Sequence, residues 1–196
     1  MTTMSLKSAW SAVRSRFSAR QQQIDLVHEL YAAIVAQARQ PVFYQDLGVP
    51  DVLDGRFDLI VLHLSAATRR LAELGAEAKE VEQGLMGLFF ADMDRSLREM
   101  GVGDLSVGKK IRNMAEAYYG RSQAYGEALG TEDDRLLEEA IGRNVYGGDS
   151  AADEALGRMA HYQRALGKGI GQWDGSLDGL QAVFGRAMGA LSTADG

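Results

Sequence analysis

Cysteine is absent from the 196 residues. That excludes a disulfide framework, a thiol nucleophile and a thiolate metal site, and it is compatible with a reducing compartment. Nowhere do about 18 apolar residues run together, so no membrane-spanning helix is predicted. The opening, MTTMSLKSAWSAVRSRF, lacks the uninterrupted apolar stretch that a signal peptide needs. Cations are the minority charge, 21 against 27 acids for a net of −6, which argues against general nucleic-acid binding and against a specific DNA target. A basic surface on such a chain has to be local. The three histidines, His28, His63 and His161, fall on three separate predicted helices, without HExxH or a repeated Glu-x-x-His pair. Asp92 and Asp94 are two apart and point in different directions on a helix, so they do not share a proton or a metal. No serine elbow, GxGxxG strand turn or zinc spacing is present. The sequence predicts no enzyme, no cofactor and no metal.

What remains is helical periodicity. With 46% hydrophobic residues the chain can bury a real core. It reads as an all-α, single-domain bundle of about seven to nine helices. Residues 5 to 17 carry a short stripe of Leu6, Trp10, Val13 and Phe17 beside Lys7, Arg14 and Arg16, which fits a docked or partly disordered terminal segment better than a membrane-surface helix. A second helix spans Gln22 to Ala38 and stops before Pro41, one of only two prolines. Pro41 opens a short turn to Gly48. The run RFDLIVLHL, apolar on nearly every side, continues through Leu71 and Leu74, so a buried central helix is predicted near 56 to 74. Thr131-Glu132-Asp133-Asp134 reads as a capped helix start, and Gly142 to Ser150 as a flexible break. Nine of the 23 glycines fall between Gly157 and Gly196, so two helices near 151 to 166 and 176 to 192 are expected to be less stable than the rest. Three segments follow: 1–18, N-terminal and amphipathic; 19–146, the helical core; 147–196, glycine-rich helices packed on or near it.

The stretch from Leu85 to Arg121 organises the chain. Leu85, Phe89, Met93, Leu97 and Met100 form one apolar stripe, widened by Met86 and Phe90. Asp94 with Arg98, and Arg95 with Glu99, are pairs four apart on the wet face. The methionines read as core, or as an adaptable apolar contact. After the glycine turn at Gly101 and Gly103, Asp104 or Ser106 caps a helix with Val107, Ile111, Met114, Ala115 and Tyr118 inside. Lys109, Lys110 and Arg112 crowd its first two turns, where the positive end of the helix dipole disfavours cations by a few tenths of a kcal/mol or more. From Leu105 to Tyr125 four cations face one acid, a local net of 4 − 1 = +3. That cluster is read as a contact surface for an anionic partner or as a solvated face. Gly103 to Lys110 also comes within one residue of the phosphate-loop pattern GxxxxGK[ST], but Lys110 stands where Ser or Thr would hold magnesium and the lead-in is helical.

The run DGRFDLIVLHL (54 to 64), together with LFFADMDRSLREMGVGDLSVGKKIRNMAEAYYGR (88 to 121), resembles the ubiquinol-cytochrome c chaperone family, assembly factors of the cytochrome bc complex. The resemblance covers Gln40 to Ala128 well and Gln22 to Tyr146 loosely. It implies an all-helical, non-enzymatic chaperone that binds newly made cytochrome b, with 19–146 as the chaperone core. It also implies a bacterial form on the cytoplasmic side of the inner membrane, with the ribosome near the tunnel exit and an acidic membrane surface as further candidate partners. The candidate partner-binding residues are Phe90, Asp94, Arg95, Lys109, Lys110, Arg112, Tyr118, Tyr119 and Arg121. A generic membrane- or ribosome-associated scaffold and a nucleotide-binding protein are the alternatives.

Overall fold

A computed structural model describes residues 6–148 and 153–193, with side chains at 18, 20–148 and 153–191. Among the described residues there are eight helices and no strand: α1 Leu6–Ala38, α2 Pro41–Gln45, α3 Leu53–Leu74, α4 Lys79–Glu99, α5 Asp104–Leu129, α6 Asp134–Val145, α7 Asp153–Gly171 and α8 Leu177–Thr193. Seven are long and α2 is a single turn. They form one helical domain.

α3 is the hub because its sequence has no polar face to give to water. Every residue from Phe57 to Thr68 is buried, and α1, α4, α5, α6 and α7 all pack on it. Thr68 and His63 are satisfied inside the bundle. The Thr68 hydroxyl donates to the Leu64 carbonyl at 2.9 Å, and lies 2.6 Å from the Tyr118 hydroxyl of α5. His63 Nδ1–H donates to the Leu59 carbonyl (2.7 Å), which leaves Nε2 to accept from the Tyr162 hydroxyl of α7 (2.6 Å). Gln37 of α1 donates to Tyr162 in turn (3.0 Å). One chain of hydrogen bonds therefore pins α1, α3 and α7 together at the centre. His63 is a packed histidine, and burial lowers its pKa to about 4, so it is neutral where the protein works.

Several expectations are corrected. Helices predicted at 5–17 and from Gln22 are one continuous α1; Met1–Ser5 and the side chains of 6–17, including the stripe Leu6, Trp10, Val13 and Phe17, lie outside the described residues. α6 is capped by Asp133, whose carboxylate accepts from the Arg135 amide, whereas Thr131 bonds back to Ala128 and closes α5. The break expected from Gly142 begins only after Tyr146. Val145 and Tyr146 are buried, and the Tyr146 hydroxyl donates to the Leu47 carbonyl at 2.8 Å, so packing carries the helix past Gly142. Residues 149–152 of that stretch lie outside the described residues.

The glycine-rich end is woven into the core. Met159, Tyr162, Leu166, Ile170, Trp173, Leu180, Phe184 and Leu191 are buried in the common hydrophobic cluster. Glycine is what lets α7 and α8 approach: a Cβ at Gly169 would stand 2.8 Å from a Val183 methyl. Trp173 at the bend donates its indole N–H to the Ser176 carbonyl (2.7 Å), and Arg70 of α3 donates to the Trp173 carbonyl (2.9 Å). Low helix propensity is thus offset by burial, each large apolar side chain contributing about 1.5–3 kcal/mol.

Candidate partner-binding surface

The corner between α4 and α5 is built by its glycines and one arginine. Gly101, at φ +84°, ends α4 in a conformation that other residues rarely adopt, and Gly103 is extended ahead of α5. No side chain caps α5 at Gly103. Asp104, expected as a cap, instead pairs with Arg98, which also holds Asp94 at 2.7 Å. Arg98 thereby ties the end of α4 to the start of α5. Asp94 is committed to this clamp. Arg95 reaches Asp92 at 4.0 Å rather than Glu99, and Asp92 also accepts from the Tyr31 hydroxyl of α1 at 3.0 Å.

Two stripes run along α5 with opposite fates. Leu105, Lys109, Arg112, Glu116 and Tyr119, at spacings of four and three, are all exposed. Val107, Ile111, Met114, Tyr118, Arg121 and Tyr125 follow the same spacing on the side facing the bundle, and all are buried or half-buried. On the outer stripe Leu105 is fully exposed and Tyr119 is 64% exposed, and Met100 is open at the end of α4. Lys109, Lys110 and Arg112 make no ion pair among the described residues. The structure brings Lys109, Arg112 and Tyr119 together with Leu105 on one wet face. Lys110, also exposed, does not join them: five residues on from Leu105 it lies about 140° round the helix, in phase with Met114 and Arg121.

Two of the sequence candidates turn inward, and both are corrected. Tyr118 is 3% exposed, packs against Phe89 (centroids 5.8 Å apart) and bonds Thr68; burial pushes its hydroxyl up to about 12. Arg121 sits on the inner stripe, where Nη2 lies 2.8 Å from a carboxylate oxygen of Asp58 on α3 and its guanidinium stacks over Phe57 at 5.3 Å. Asp58 is 8% exposed in its side chain, and desolvation raises its pKa to about 7 although Arg121 pulls it down. Arg121 is therefore a partner for a buried carboxylate. Phe90 is half-buried, 5.1 Å by ring centroid from Phe89, at the edge of an aromatic series that runs from the core through Tyr118 to Tyr119. Met93 lies in the core, and Met86 and Met114 pack half-buried against it.

The near-match to a phosphate loop covers the turn and the first residues of α5, with no strand before it among the described residues. No group of three His, Cys, Asp or Glu among the described residues is arranged to hold a metal ion. Sequence reasoning missed Leu105 and the exposure of Met100, which it placed on the inner stripe of α4. A signal for Leu105 existed: it is in phase with Lys109, Arg112 and Tyr119 and out of phase with Val107 and Ile111.

Comparison with known proteins fits this architecture. Residues 45–176 match the model of a family described as ubiquinol-cytochrome C chaperone. The ubiquinol-cytochrome-c reductase complex assembly factor 1 of Xenopus laevis is 23% identical over 135 residues, covering 69% of this chain and 67% of that protein. The crystal structure of the Cbp3 homolog from Brucella abortus superposes with a TM-score of 0.75 at 30% identity, covering 86% of this chain and 93% of the other. The match extends into α7, so the glycine-rich end, left unmatched in the sequence reading, is partly included in the family's pattern.

Proposed function

The chain belongs to the ubiquinol-cytochrome c chaperone family, whose members assist assembly of the respiratory bc complex, and on that premise we propose that it holds newly made cytochrome b on the outer face of α5. The observation that carries the reading is the composition of that face: a fully exposed leucine and a mostly exposed tyrosine framing two cations, Lys109 and Arg112, that make no ion pair among the described residues, on a chain of net charge −6. Burying Leu105 alone against a client contributes about 1.5–3 kcal/mol. The cations add orientation and association rate more than affinity. The contact set is then Leu105, Lys109, Arg112 and Tyr119, with Met100 and Phe90 at its edge, while Asp94, through Arg98, stiffens the corner beneath. Lys110, on the other flank of α5, and Arg95, paired within α4, stand outside it.

The protein acts by binding, with no reaction performed at this face. No described helix is long and apolar enough to cross a membrane. We place its work at the cytoplasmic face of the inner membrane, where the same cations are drawn to acidic lipid and to the ribosome near the tunnel exit, each worth about 1 kcal/mol beside an anionic surface. The test is a deletion strain complemented with Lys109→Glu/Arg112→Glu. Reduced-minus-oxidised haem spectra of its membranes should lose most of the b-type signal while the variant accumulates as a folded protein. A full b-type signal with that variant would remove the cations from the mechanism.

A further inference from the structure

A cleft of about 760 Å³ opens between α3, α5 and α7, far along α5 from the Leu105 corner, lined in part by Arg69, Glu132, Arg164 and Lys168. Its floor is made by glycine. A Cβ at Gly126 would stand 2.8 Å from Nη1 of Arg69, so the guanidinium lies directly on the α5 backbone. Arg69 and Lys168 make no ion pair or hydrogen bond among the described residues. Arg164 gives Nε to Asp134 (2.6 Å) and Nη1 to the Thr131 carbonyl (2.8 Å), but its Nη2 is buried without a partner. Of the acids at the rim, Glu73 is engaged by Arg70 at 3.3 Å, which leaves Glu132 alone against these donors.

A second observation lies directly beneath. Gln163 of α7 is 1% exposed, and neither its amide oxygen nor its amide nitrogen has a partner. It lines a narrow gap with Ser65, Ser122 and Tyr125, which has no room for the centre of a water molecule. Arg69 and Leu129 line both spaces. A buried polar group left unpaired is unfavourable, so this junction is incomplete as a purely structural element.

We propose that this cleft is a binding site for a phosphate-bearing anion, gripped by Arg69 and Lys168 with the charge of Arg164 in its wall. Planar guanidinium groups match phosphate oxygens two at a time, and lysine adds a point charge. When Arg69 turns up to the anion, the space it leaves admits water to Gln163 and supplies the missing partners. The cleft is larger than a bare phosphate requires, so the group is carried on a larger polar body: a lipid headgroup or a soluble phosphate ester. None of these residues belongs to the outer face of α5, so this site and the client surface fail or survive separately.

The experiment follows thermal unfolding of the full chain in sodium phosphate against sodium chloride of equal ionic strength. At ten times Kd the Tm should rise by about 3–5 °C. Arg69→Met/Lys168→Met should abolish the rise, and Glu132→Gln should tighten binding about threefold. Sedimentation with phosphatidylglycerol against phosphatidylcholine vesicles separates the sources. Vesicle binding lost in the Arg69→Met/Lys168→Met variant assigns the phosphate to a lipid, and vesicle binding absent or unaffected by it assigns a soluble ester. A phosphate effect no larger than that of chloride, or equal in the double variant, overturns the site. If that variant does not fold, unchanged phosphate affinity in Glu132→Gln overturns it instead.

Discussion

Replacing Arg121 by Met separates a structural arginine from a contact arginine, and the separation is clearest as a function of pH. In the native protein Asp58 titrates near 7, against an ordinary value of 3.8, because burial disfavours its charge more than Arg121 favours it. A carboxylate whose pKa is raised on folding lowers stability as pH rises from the unfolded value to the folded one, since the native state then holds the extra proton. Removing Arg121 leaves only the burial and the like charge of Asp54, so the folded pKa climbs above 7. Native Asp58 is protonated with or without Arg121 below pH 6, and there the substitution costs about 1 kcal/mol for the lost stacking on Phe57. Above pH 7 the two proteins diverge by about 1.4 kcal/mol for each pH unit until the variant's Asp58 ionises, about 2.7 kcal/mol more at pH 9. With a shift of about 2–4 °C per kcal/mol for a chain of this size, Tm should fall by about 3 °C at pH 5 and about 8–12 °C at pH 9. The assay is thermal or urea unfolding at both pH values, with Asp58→Asn/Arg121→Met as the rescue that removes the pH dependence of the loss. An equal loss at pH 5 and pH 9, or none at either, would refute the pairing and return Arg121 to the surface.

Other outcomes follow from the same packing. Asp58 gains stability on acidification from 7 to 4, whereas His63, lowered from 6.5 to about 4, loses it between 6.5 and 4; the two nearly cancel in the native chain. Asp58→Asn should therefore expose a loss of about 3 kcal/mol across that window, measured by urea unfolding at pH 4.5 and 7. Tyr162→Phe should cost about 2–4 kcal/mol, because it strands both His63 Nε2 and the Gln37 amide in the core; a Tm within 2 °C of native would contradict that chain of hydrogen bonds. Gly84→Ala puts a Cβ 2.9 Å from both Val27 methyls, so α1 has to move off α4, at about 1–3 kcal/mol read from the midpoint of urea unfolding.

Periodicity made most of the fold legible before any coordinates. The hub helix could be found because RFDLIVLHL has no polar face, and the break at Gly101 because glycine there follows a complete apolar stripe. The glycine-rich end was misjudged for a physical reason: intrinsic propensity is local, whereas the close approach of Gly169 to Val183 and the hydrogen bonds of Tyr162 to α1 and α3 are made by residues far apart in sequence. The basic cluster was legible as a cluster but not as a surface. Its charge count included Arg121, and only the spacing from Tyr118 and Tyr125, together with a buried Asp58 63 residues earlier, shows that this cation is spent inside. Leu105 was overlooked because its phase with Lys109, Arg112 and Tyr119 marks only that it faces away from Val107 and Ile111; its meaning as a contact comes from the absence of any neighbour over it.

The central claim is that a client lies along the outer face of α5. A photo-reactive amino acid placed at Leu105 or Tyr119, and as controls at Leu136 on α6 and Val52 before α3, which are also exposed, probes it directly in cells making cytochrome b. Adducts with cytochrome b from Leu105 and Tyr119, and none from Leu136 or Val52, are what the account predicts. Adducts confined to Leu136 or Val52, or equal from all four positions, would contradict it.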